Sequence, residues 1–120
     1  MDESILTSVK KMLGITDEYD AFDMALIMHI NSVFMILYQL GVGPEKAFRI
    51  EDESSFWSDF ISTDDPNFES VKSYMYLKVR LLFDPPTSSV LMEATKQLVS
   101  ELEWRLNFES ETTGQNDTTY

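Results

Sequence analysis

Three aspartates, Asp17, Asp20 and Asp23, recur every third residue in "DEYDAFD", and a histidine, His29, follows shortly after. Carboxylates at that spacing can share one side of a helical turn, and calcium and magnesium prefer oxygen ligands. An enzyme using a divalent metal at Asp17, Asp20 and Asp23 is therefore one reading of the chain. The run lacks the alternating ligands and the turn glycine of an EF-hand loop. The plainer reading is acids gathered at a helix N-terminus, where the helix dipole favours them. Asp64-Asp65 reads the same way, as a cap and not a metal pair.

His29 is the single histidine of the chain. A general base needs a partner and access to water, and no Ser-His-Asp or Cys-His set assembles around it. A hydrogen-bonded histidine in the core or at an interface is the simpler role. "GVGP" at 41–44 follows a helical run and is too short to cradle a phosphate. The residues therefore offer no catalytic site, no metal site and no cofactor.

Charge narrows the choice further. The 120 residues carry 21 acids against nine bases, a formal charge of −12. Such a surface repels nucleic acid and anionic lipid. The acids cluster at Asp17–Asp23 and again from Glu51 to Glu69, a stretch with no base. Glu51, Asp52, Glu53, Asp59, Asp64 and Asp65 are the candidates for an exposed acidic surface. Lys72, Lys78 and Arg80 are predicted to pair with acids of the same chain or of a neighbour. Cysteine is absent, which fits a reducing compartment. The start Met1-Asp2-Glu3 is acidic where a signal peptide needs positive charge, so the cytoplasm is expected.

Helices must position these residues. Ile5, Leu6, Val9, Met12 and Leu13 recur at helical spacing and predict a first helix from Glu3 to Leu13, ended by Gly14. A second spans Ala21 to Leu40 and is apolar nearly all round, which marks a buried helix. Twenty residues can cross a bilayer. His29, Asn31 and Ser32 at its middle, with acidic flanks, argue against a membrane span. So small a domain has few elements to surround such a helix, so self-association is expected. Met24, Met28 and Met35 fall on one face of it. Core packing is the ordinary use of such methionines, and a subunit interface is the alternative; Phe56 and Trp57 pose the same choice.

From Val42 to Asn67 the chain reads as a partly structured linker, with "AFRI" as a brief extended piece and "SSFWSDFI" as a short helical turn. Asp65-Pro66 introduces a helix from Asn67 to Phe83. Pro85 and Pro86 break it and fix the angle to a last helix, Ser88–Asn107, with an apolar stripe of Leu91, Ala94, Leu98, Leu102 and Leu106. Residues 108–120 have almost no apolar content and no base, and are expected to be a disordered tail. The prediction is an all-α bundle of about four main helices over 1–107, with a flexible C-terminal tail.

Several pieces also carry a resemblance. "VKKMLGI", "FDMALIMHINSVFMILYQLGVGP", "FWSDFI", "ESVKSYMYLKVRLLFDPPTSSVLMEA" and "ELEWRLN", in this order and spacing, resemble the head–tail connector proteins of tailed bacteriophages, also called adaptor or DNA-packaging connector proteins. The copy looks like one from a phage or prophage of Gram-positive bacteria. The resemblance covers Ile5 to Asn107. It implies a structural virion protein without enzymatic activity, forming a ring, commonly of about twelve copies. That ring docks under the portal protein, extends the channel through which viral DNA passes without specific binding, and meets the next head-completion or tail protein. It implies a place in the virion at the head–tail junction, reached from the host cytoplasm, with no membrane. It also implies a portal-binding role for the tail, here Phe108, Glu109, Glu111 and Tyr120. In that setting Met24, Met28, Met35, Phe56 and Trp57 are subunit-interface candidates. Glu51, Asp52, Glu53, Asp59, Asp64 and Asp65 become channel candidates. A different class also accommodates the charge: a small acidic DNA mimic that inhibits a host nucleic-acid-binding protein.

Overall fold

Two prolines between two apolar runs force a break, and the helices fall on either side of it. A computed structural model describes the backbone of residues 2–117 and the side chains of 2–109. Its helices are α1 (Ile5–Leu13), α2 (Asp23–Gln39), the single turn α3 (Trp57–Phe60), α4 (Phe68–Phe83) and α5 (Ser89–Asp117). Among the described residues there is no strand, only one isolated antiparallel bridge between Ser4 and Phe56. The all-α prediction holds.

Local chemistry sets the boundaries. Ser4 caps α1, accepting from the Thr7 N–H at 3.4 Å. Gly14 ends the helix at φ 82°, a left-handed conformation that glycine adopts without a Cβ penalty. Asp65 turns the chain into α4: its side chain accepts from Asn67 N–H at 2.8 Å and its carbonyl accepts from Phe68 N–H at 3.0 Å. Asp84, held before the prolines, leaves the helical region at φ −147° and ψ 70°, as a residue before proline should. Pro86 is buried and Pro85 exposed. Ser88 then caps α5, accepting from Leu91 N–H at 3.3 Å.

α4 is the hub, packing against α1, α2 and α5. It buries Val71, Tyr74, Met75 and Val79. α2 contributes Leu26, Ile30, Val33, Phe34 and Leu37. A helix expected to be buried all round is therefore buried on one face. The predicted linker is also more integrated than expected. Val42, Ile50, Trp57 and Phe60 belong to the core, and the Phe34 ring meets Phe48 at 5.0 Å and Phe60 at 4.7 Å. The extended piece at 47–50 pairs with no strand. Instead Asn31 takes the role of a backbone partner: its Nδ2 donates to Ile50 O at 3.0 Å, and its Oδ1 accepts from Ile50 N–H at 2.8 Å.

Two features of α5 differ from expectation. The helix continues to Asp117, beyond the predicted end at Asn107. The side chains it buries are Val99, Leu102 and Leu106, not the whole stripe predicted from Leu91. The reason is that Met92, Thr95, Val99, Leu102 and Leu106 form a second set at helical spacing, rotated from the first, and this set faces α4. Leu91, Ala94 and Leu98 are left exposed. No described helix is long and apolar enough to cross a membrane.

Candidate functional site

The acids of the 17–23 run gather around a lysine. Lys10, in the last turn of α1, turns inward and is buried. Its Nζ lies 2.9 Å from Asp23 Oδ1 and donates to the Asp17 carbonyl at 3.1 Å. Asp17, Glu18, Asp20, Asp23 and Glu53 line the hollow around it. The ammonium thus supplies the positive charge that these acids could have drawn from a metal. Among the described residues no three His, Cys, Asp or Glu side chains are grouped to hold an ion.

His29 is half-buried on α2, edge-on to the Phe83 ring at 6.4 Å between centroids. Lys72, Lys78 and Arg80 each meet a partner within the chain. Lys72 lies 3.6 Å from Glu3 and Lys78 lies 3.8 Å from Glu103. Arg80 donates to the Tyr76 hydroxyl at 3.2 Å. Tyr74, buried in the core, donates its O–H to Glu103 at 2.7 Å. Burial, followed by that bond and the negative charge of Glu103, pushes the Tyr74 hydroxyl well above the ordinary tyrosine range.

The six candidate acids divide. Glu51, Asp52, Glu53, Asp59 and Asp64 are exposed, and Asp65 is half-buried at its cap. Three serve the fold: Asp52 accepts from the Ser54 N–H at 2.8 Å, Asp59 accepts from the Phe56 N–H at 2.8 Å, and Asp65 holds the start of α4. Asp52 is held below the usual carboxylate range by its two bonds from Ser54, side chain first. Glu51, Glu53 and Asp64 are left as outward charge.

The interface candidates also divide. Met24 is 82 % exposed and Met28 69 %, and Met35 is exposed as well. Core packing, the ordinary use of such residues, is thus overturned for all three. Successive residues of a helix are about 100° apart, so these three methionines fall within about 40° of one another. That stripe lies roughly opposite the buried face of α2. Phe56 is exposed, but Trp57 is not a surface residue. Its indole is sealed beside Phe34 and Phe68, and its Nε1–H donates to Ser8 Oγ at 2.9 Å.

Beside the methionines the segment Ala47–Arg49 rises to form a groove with α2, walled by Met28, Met35, Phe48 and Arg49. Sequence reasoning missed the groove because its second wall is placed by Asn31, nineteen residues from Ile50. A lone asparagine inside an apolar helix, with both a donor and an acceptor to satisfy, was the available signal.

Of the tail candidates, Phe108 and Glu109 are exposed, with Phe108 stacked on Trp104 at 5.3 Å. The Glu111 side chain and Tyr120 lie outside the described residues. No curated protein and no solved structure matches the chain. Residues 5–113 match the sequence profile of the phage connector proteins.

Proposed function

Since the chain belongs to the phage connector protein family, a family of structural proteins of the head–tail junction, we propose that it assembles into a ring beneath the portal. There it continues the DNA channel toward the tail. The observation that carries this reading is the bare methionine face of α2. An exposed row of large apolar side chains on a small soluble-sized domain is a contact surface awaiting cover, and neighbouring subunits of a ring supply it. The charge of −12 suits a conduit, because it lowers attraction for the phosphate backbone and lets DNA slide. Glu51, Glu53 and Asp64 are the residues proposed to face the channel. The buried Pro86, with Asp84 held out of the helical region, sets the angle between α4 and α5 and so the wedge each subunit presents. Exposed Phe108 and Glu109 begin the segment proposed to reach the portal.

The reading is tested in the phage that encodes the chain. Without the protein, electron microscopy should show DNA-filled heads and free tails that do not join, and purified protein should restore joining. Normal tailed particles in its absence would refute the proposal.

A further inference from the structure

The groove beside α2 has an unusual character for this chain. Its walls are Met28, Met35 and Phe48, with small polar side chains between them, and its one charge is positive, Arg49. Acids outnumber bases by more than two to one in the whole sequence, yet none lines this groove. It therefore suits an apolar helix with acidic borders. Methionine walls adapt to such a guest because the side chain is unbranched and polarisable.

The chain carries a helix of that kind. The inner face of α5 packs on α4 through Val99, Leu102 and Leu106. Its outer face holds Val90 (79 % exposed), Leu91, Ala94 and Leu98. These span an arc of about 100°, and Leu91, Ala94 and Leu98 follow the i, i+3, i+7 spacing by which a helix anchors in a groove. Exposed Glu93 flanks the row, opposite in sign to Arg49, while Glu101 beyond its end is paired with Arg105 of the same helix.

We infer that copies of this chain join head to tail, the outer face of α5 from one copy seating in the groove of α2 and Ala47–Arg49 on the next. The inference rests on the ring reading above and names the surfaces that make it. Two different patches that complement each other form a heterologous contact, which leaves one of each free at the ends and propagates until a ring closes. A two-fold dimer would use one patch against itself and leave the other bare.

The absence of cysteine makes the test clean. Met28→Cys and Leu98→Cys are placed in one chain and, separately, in two chains. Each is oxidised alone and after assembly on the portal protein of the same phage, then run on non-reducing gels beside light scattering. Both positions are exposed, so folding is not at stake, and circular dichroism checks it. The expected result is a ladder of dimers, trimers and higher species for the double variant, containing more than half of the chains. Mixed single variants should give one dimer band, and each single variant alone none. Leu91→Asp in the double variant should remove the ladder. Self-crosslinking of a single variant would overturn the inference in favour of a two-fold contact. A ring-sized mass with no ladder would overturn the pairing and leave the ring reading standing. Monomer mass under both conditions, with no ladder, would overturn both.

Discussion

Replacing Asn31 by leucine removes the clamp that holds the second wall of the groove. The side chain makes two bonds to one residue, 3.0 Å to Ile50 O and 2.8 Å from Ile50 N–H, and Ile50 is fully buried. Leucine keeps the volume and deletes both bonds, so a buried carbonyl and a buried amide lose their partners together. Each such group costs about 1–3 kcal/mol. Some loss is recovered if 47–50 lifts to reach water, which places the expected destabilisation at about 2–4 kcal/mol. For a chain of this length that lowers Tm by roughly 8–16 °C. Urea and thermal unfolding, run dilute so that association does not add to stability, measure it. Asn31→Asp should fall in the same range, because it keeps the acceptor and sets a second oxygen against Ile50 O. A loss below about 0.5 kcal/mol for Asn31→Leu would refute the reasoning, since that is the size expected of an ordinary surface change.

Gly43 sits at φ 98°, and a Cβ there would lie 2.5 Å from Phe60 Cε1. Gly43→Ala should cost roughly 2 kcal/mol or more, against about 1 kcal/mol for Gly14→Ala, where the space is open; equal losses in urea unfolding would count against the packing of Phe60. Lys10→Ala strips the buried partner from Asp23 and should cost about 2–4 kcal/mol, with Lys10→Met costing less; thermal melts decide. Tyr74 ionises in the unfolded chain near its ordinary pKa, but in the folded chain only at higher pH. The folded state therefore holds one more proton above pH ~10, and stability should fall with rising pH by up to about 1.4 kcal/mol per unit there. Tyr74→Phe should flatten that limb of the unfolding curve; an unchanged slope would contradict the buried hydroxyl.

What the sequence made legible was local. Gly14, Asp65-Pro66, Ser88 and the double proline each act within a few residues, and the helix starts and ends they imply match to within two residues except at the end of α5. Burial was harder. α5 offers two interleaved apolar sets, and only the position of α4 decides that Val99 faces inward while Leu98 faces out. α2 is apolar on both sides, so composition could not tell that one side would be left bare. The Lys10–Asp23 pair, the Trp57–Ser8 bond and the Asn31 clamp all join residues whose proximity depends on the whole fold. That is why the methionine face was legible as an alternative and the groove beside it was not.

The central claim is that subunits cover one another in a ring, and the mass of the purified protein in solution, with and without its portal protein, tests it most directly. Light scattering should give a species of about twelve copies of the 13.9 kDa chain, near 170 kDa, either alone or only when the portal is present. The two cases separate a preformed ring from one templated by the portal. A protein that stays monomeric or dimeric and ignores the portal would contradict the account.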